Sequence, residues 1–238
     1  MKTESECNDA LSTIIHDLRS PLSAVVGAFD ILSFDDLTKT EIEQSIKSGQ
    51  KAAKSIISLT ENILVMAREE AGKSDIEIGE VCNLKEHFSE IANTFKYEMK
   101  VKEINFQAKI AKNIPSVYWD IDKLRYHAFN NIISNAIKFT DKGGNIVLKV
   151  KEYEGTHISV SIKDDGVGIP KEKRASIFEK YDTHDDKKVF KGTGLGLYNA
   201  YNFINKHNGN IVATKGIDGK GTGFNILLPI HNIDTPRG

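Results

Sequence analysis

Residues 11–32 read LSTIIHDLRSPLSAVVGAFDIL, and their apolar positions keep a helical period. Leu11, Leu18, Val25 and Leu32 recur every seventh residue, with Ile14, Pro21 and Ala28 in the other seam position. The spacing predicts an amphipathic helix with His16 outside the seam, on the solvent side. His16 is followed by a carboxylate, Asp17, and stands one turn ahead of Pro21. Proline has no N–H to give the Asp17 carbonyl, so the helix is expected to bend or loosen there. Taken alone, this is an exposed histidine on an amphipathic helix. The downstream residues give it another meaning.

Ser33-Phe34-Asp35-Asp36-Leu37 breaks the pattern, and Thr38-Lys39-Thr40-Glu41 is a capping box opening a second helix. Its seam runs Ile42, Gly49, Ile56, Ile63, with Ser45, Ala52, Leu59 and Met66 between, and it ends near Ala71-Gly72. Two helices with one apolar stripe each cannot build a stable core alone. Pairing two hairpins into a dimeric four-helix bundle buries both stripes, so a homodimer is expected. The competing arrangement packs the hairpin on the chain's own second domain. A polar joint, Gly72-Lys73-Ser74-Asp75, separates an all-α hairpin over 1–73 from a second domain over 76–238.

The chain has 238 residues, 27% of them charged, with a formal net charge of -1. That length supports one large or two ordinary domains. The charge balance and the lack of a basic stripe with interleaved aromatics argue against nucleic acid. Cys7 and Cys82 form neither a disulfide framework nor a metal spacing, which points to a reducing compartment. No apolar run approaches the ~18 residues of a membrane span, and the N-terminus is unlike a signal peptide. The expectation is a cytoplasmic protein without a membrane span.

The second domain alternates helices with mostly adjacent strands, as an α+β two-layer sandwich does. Strands are expected over 76–81, 104–110, 117–119, 146–153 and 157–162. Leu84, Phe88, Ile91, Phe95 and Met99 mark one helix, and Asp120 or Asp122 opens another to about Phe139. After a glycine turn, a short helix and a polar loop come a helix over about 195–207 and a hairpin, 210–214 with 224–228, around Gly219-Lys220-Gly221.

Three segments of this domain carry nucleotide chemistry. Asn131, Asn135 and Lys138 share one helical stripe, with Phe129, Ile133, Ala136 and Ile137 opposite. Amides and a lysine suit a polyphosphate with its magnesium, which takes hard oxygen ligands. His127 lies one turn earlier on that stripe. Asp164-Asp165-Gly166-Val167-Gly168 follows a strand: its glycines let backbone approach a flat ligand, and a carboxylate there accepts from an adenine amino group while rejecting guanine's carbonyl. Gly192-Thr193-Gly194-Leu195-Gly196 precedes a helix and offers free N–H groups to anions. Each segment also has an ordinary structural reading: a wet helix face, an Asp-Gly turn, a flexible loop.

In this order the segments resemble the sensor histidine kinases of two-component signalling, over about residues 8 to 230. His16-Asp17-Leu18-Arg19-Ser20-Pro21-Leu22 resembles their H box, and residues 131–140, NIISNAIKFT, their N box. Asp164 to Gly168 resembles the G1 box, Ile177-Phe178-Glu179-Lys180 the F box, Gly192 to Gly196 the G2 box, and Gly221-Thr222-Gly223-Phe224 the last glycine motif. The resemblance implies a dimerisation and phosphotransfer hairpin followed by a catalytic domain of the Bergerat ATP-binding fold. His16 would take the γ-phosphoryl group of ATP, with Asp17 orienting or deprotonating it, and would pass it to an aspartate on a response regulator receiver domain. Asn135 would hold Mg²⁺. Asn131, Lys138, Phe139, Asp164, Gly166, Gly168, Gly192, Thr193, Gly194, Leu195, Gly196 and Thr222 would line the ATP site. The segment from about Tyr181 to Lys191 would be its lid.

The chain departs from this pattern in three places. Ser20 stands where this branch usually has the threonine or asparagine that serves regulator dephosphorylation, though a hydroxyl remains. The lid lacks the arginine of many relatives and offers Lys187, Lys188 and Lys191 instead. Fifteen residues before His16 are too few for a sensory domain, so a signal would arrive through another chain or an absent upstream domain. Two other readings compete with the autokinase: a catalytically weak dimeric ATP-binding scaffold that acts by partner binding, and a relative of the ATPase chaperones and topoisomerases, which leaves His16 unexplained.

Overall fold

The computed structural model describes residues 4–70, 76–180 and 194–231, in two compact units, one helical and one mixed. The helical unit is a hairpin of α1 (Glu4–Leu32) and α2 (Lys39–Glu70), and α1 stays helical through Pro21. The capping box forms: Thr38 N–H donates to Glu41 Oε2 at 2.8 Å and Glu41 N–H to Thr38 Oγ1 at 3.3 Å. The seam residues Ala28, Ser45, Ala52 and Leu59 are buried between the helices. A Cβ on Gly49 would sit 3.3 Å from that of Ala28, so the small residues of α2 set a close helix crossing.

Those four buried residues of the predicted stripe face inward, Ile42 of the same stripe is 38% exposed, and further apolar residues that the heptad reading did not separate from it stay open. Ile15, Leu22, Val26 and Phe29 of α1, and Ile46, Ile57 and Leu64 of α2, are each 44–67% exposed. A face of that size on a two-helix unit calls for another surface to cover it.

The mixed unit holds a five-stranded sheet in the order β2-β4-β5-β7-β6. Its strands are β2 (Asn105–Ile110), β4 (Asn145–Tyr153), β5 (His157–Asp164), β6 (Asn210–Lys215) and β7 (Thr222–Pro229). β2 and β4 are parallel and the other pairs antiparallel. Alternation sends Ile146, Leu148, Val150, Ile158, Val160, Ile162, Ile226 and Leu228 into one buried core with the helices. Lys149, Lys151, Ser159, Ser161 and Lys163 lie on the other side of the pleat. Beside this sheet β1 (Gly79–Val81) and β3 (Val117–Trp119) pair antiparallel, and the Trp119 indole N–H donates to the Pro229 carbonyl at 2.7 Å.

Two expectations need correction, and a third is met with an added detail. The first strand starts at Gly79 rather than Ile76, because Glu77 N–H donates to the Asp120 carboxylate at 2.9 Å instead of joining a ladder. The helix over 84–99 is two, α3 (Leu84–Thr94) and α4 (Lys96–Val101), divided at Phe95, whose ψ of 1° leaves the helical basin. Phe88, Ile91, Phe95 and Met99 all stay buried across the break, so their spacing hides it. The long helix starts at an Asp120 cap with α5 (Ile121–Lys123), passes through a π-helical stretch, Leu124–Phe129, and continues as α6 (Asn130–Phe139).

α7 (Gly196–Lys206) closes the helical layer, and His207, fully buried, ties its end to the start of α5. The Asp120 N–H donates to His207 Nε2 at 3.0 Å, and Nδ1 lies 2.7 Å from the Phe203 carbonyl, so Nδ1 carries the proton of a neutral ring. Burial pulls this imidazole below its ordinary value. The unfolded chain therefore binds the proton more readily, and stability that is complete above about pH 6.5 is lost as pH falls through the folded value. Thermal unfolding is expected to show a midpoint that drops on acidification below about pH 6.5, and His207→Gln should flatten that drop.

Candidate functional site

Asp164 ends β5 inside the mixed unit and is 3% exposed. Its Oδ1 accepts the Gly166 and Thr222 N–H groups, each at 2.9 Å. Among the described residues its second oxygen accepts nothing. Burial, partly offset by the two backbone bonds, raises its pKa above the ordinary carboxylate value. Ionised Asp164 therefore opposes folding, and stability present below its ordinary value is lost as pH rises through the folded value. An incoming N–H donor meeting the free oxygen relieves that cost, which is what an amino-bearing purine offers.

Glycines make this approach possible. A Cβ on Gly166 would run into the Phe139 carbonyl oxygen, and one on Gly216 into the Asp164 carbonyl oxygen. Gly168 and Gly221 have φ of +74° and +66° and lie against each other. Asp165 is turned away: its carboxylate accepts the Asn145 N–H and side-chain amide at 2.8 and 2.7 Å, fixing the start of β4.

On α6, Asn131, Asn135 and Lys138 are half-buried on one side, with Ile132, Ile133, Ala136 and Ile137 in the core. The Asn131 side chain donates to the His127 carbonyl at 2.8 Å, and a Cβ on Gly196, first residue of α7, would be 3.4 Å from Asn131 Oδ1. The start of α7 and the α6 stripe are thus neighbours. The Asn135 side chain makes no hydrogen bond among the described residues, which suits a hard oxygen donor to a cation. Lys138 Nζ sits 4.9 Å over the Phe139 ring. The His127 ring stacks on Phe203 at 4.4 Å, a packing contact.

Gly194 has φ +65° and Leu195 is buried, while Gly192, Thr193 and the lid segment from Tyr181 lie outside the described residues. The F-box side chains anchor the segment before it: Ile177 is buried, and Phe178 packs on Tyr201 and Phe224 at 5.6 and 6.2 Å. His16 and Asp17 lie on α1 and their side chains are outside the described ones; Ser20 is exposed on the same helix. The sequence reading missed Asp165 and Gly216. Gly216 sits in a glycine-rich turn and was legible as such, whereas the part played by Asp165 depends on Asn145 of a different strand.

A buried carboxylate with one oxygen unclaimed among the described residues, set among glycines and near an amide-and-lysine helix stripe, is chemistry that a purine nucleotide would match. Residues 120–232 match the family described as histidine kinase-, DNA gyrase B- and HSP90-like ATPase, and residues 8–72 match the His Kinase A phospho-acceptor domain. The chain thus carries, in this order, the phospho-acceptor and ATPase domains of the histidine kinase type. It is 30% identical over 226 residues to the adaptive-response sensory kinase SasA of Synechococcus sp. (strain JA-3-3Ab), covering 94% of this chain and 59% of that protein. It is 29% identical to sporulation kinase E of Bacillus subtilis, covering 92% of this chain and 28% of that protein. The chain thus spans less than two thirds of these relatives. Full-length ShkA in complex with AMPPNP shares the fold at a TM-score of 0.68 and 24% identity, over 96% of this chain and 47% of that one. Histidine kinase ThkA in complex with response regulator protein TrrA does so at 0.71 and 19%, over 97% and 64%. Among the described residues no helix is long and apolar enough to cross a membrane.

Two glycines separate fit from flexibility. Gly221→Ala would press a methyl group onto Asp164 and is expected to abolish nucleotide binding. Gly219, at φ +80° in open space, should tolerate alanine for the left-handed strain alone, about 1–2 kcal/mol, with unchanged affinity in a nucleotide titration.

Proposed function

We propose that this chain is an ATP-dependent protein-histidine autokinase of a two-component system, acting in the cytoplasm as a homodimer. The observation that carries the reading is the buried Asp164 carboxylate with one oxygen held by Gly166 and Thr222, in a chain whose first helix bears His16. The exposed apolar face of the hairpin supports the dimer, since burying each half-exposed aliphatic or aromatic side chain contributes on the order of 1 kcal/mol.

Asp164 accepts the adenine amino group, while Asn131, Lys138 and the start of α7 hold the phosphates. Asn135 would hold a magnesium ion, which would supply charge neutralisation for the polyphosphate. A neutral His16 nitrogen attacks the γ-phosphorus, the bond to the β–γ bridging oxygen breaks, and ADP leaves. Asp17 orients the ring and takes its proton. The phosphoryl group then passes to an aspartate of a receiver domain, and the Ser20 hydroxyl, exposed on α1, would serve any regulator dephosphorylation.

Incubation with γ-labelled ATP and magnesium is expected to give a label lost in acid, stable in base and absent in His16→Gln. Labelled His16→Gln would move the acceptor elsewhere, and unlabelled wild type that still binds ATP would favour a binding scaffold. The adenine assignment has its own check. Wild type should prefer ATP to inosine triphosphate by at least about tenfold, the scale of one charged hydrogen bond, and Asp164→Asn should erase the preference.

A further inference from the structure

The α6 helix ends at Phe139, beside the proposed nucleotide site, and a helix C-terminus is the unfavourable pole for an anion. Its last carbonyls also lack partners within the helix. Lys102, half-buried just after α4, meets both problems at once. Its Nζ donates to the carbonyls of Ile137 at 2.7 Å, Lys138 at 2.9 Å and Thr140 at 2.6 Å, engaging all three ammonium hydrogens. Among the described residues it pairs with no carboxylate. The Lys102 carbonyl accepts Gly143 N–H at 3.0 Å, and Asn105 N–H donates to the Gly144 carbonyl at 2.9 Å, so the turn after α6 is held by backbone as well. Phe139 lies between the residues whose carbonyls are capped. Its own carbonyl accepts Val167 N–H at 3.3 Å and lies against Gly166, whose N–H reaches Asp164.

We propose that Lys102 is a positioning residue of the nucleotide site, whose ammonium fixes the end of α6 against the Gly166–Val167 turn and neutralises that helix end before a polyphosphate. This rests on the ATP-binding reading above. The charge matters as well as the hydrogen bonds, because three carbonyls converging on one point repel both one another and an anion nearby.

The test is a calorimetric titration of the full chain with magnesium-ATP, comparing wild type with Lys102→Met, Lys102→Gln and Lys102→Arg. Lys102→Met is expected to weaken ATP binding by about tenfold to a hundredfold, the loss of one or two charge-assisted bonds. Labelling at saturating ATP should stay within about twofold of wild type, so that KM moves and kcat does not. Lys102→Arg should recover most of the affinity and Lys102→Gln little. If Lys102→Met does not fold, the neutral Lys102→Gln carries the same expectation. A neutral variant that unfolds more easily yet binds ATP like wild type would reduce Lys102 to a structural cap and overturn the proposal. Wild type that binds no ATP would overturn the nucleotide reading itself, and this proposal with it.

Discussion

A carboxylate nearly removed from water, with one oxygen engaged among the described residues, is the constraint on which the mixed unit turns. Asp164 is held from two directions, by Gly166 just beyond it in sequence and by Thr222 on the neighbouring strand β7. Glycines at 166, 216 and 221 are required because backbone passes within contact of Phe139 or Asp164 at each. The second carboxylate, Asp165, is spent on fixing Asn145 and β4. Neighbours in sequence thus do different work, one gathering the amides of Gly166 and Thr222 and one holding the sheet.

The helices answer the opposite requirement, charge rather than shape. The α6 stripe gathers amides and a lysine on one side while its other side is core, and the first residue of α7 lies against Asn131. The His207 ring and the Asp120 backbone N–H lock the far end of α7 to the start of α5 through a neutral hydrogen bond, while the Asp120 carboxylate pairs separately with Lys123 at 3.3 Å. Hydrogen bonds of that kind fix relative position without the desolvation penalty of two charges.

Much of this was legible in the sequence because local chemistry sets it. The capping box at Thr38, the alternation of β4 and β5, the glycines of the Asp164 turn and the α6 stripe all declare themselves within a few residues. What was hidden depends on distance along the chain. Lys102 finds its carbonyls 35 to 38 residues away. Glu77 abandons a strand for a partner 43 residues on. The break at Phe95 and the π-helical turn before Asn130 leave the apolar spacing intact, so periodicity could not report them. In the hairpin, a heptad pattern says which residues avoid water but not that one apolar face meets the second helix while another stays open.

The sheet order also dictates when the site comes into being as the chain is made. The hairpin is built from neighbouring helices, whose contacts form quickly and early. The surroundings of Asp164 wait for Thr222, because β7 is both an interior strand and, among the described residues, the last one in sequence. Until it inserts between β5 and β6, the carboxylate lacks one of its two amides, and β5 offers a bare edge to other chains. Vectorial synthesis therefore completes the helical hairpin before β7 can bring the Thr222 amide to Asp164.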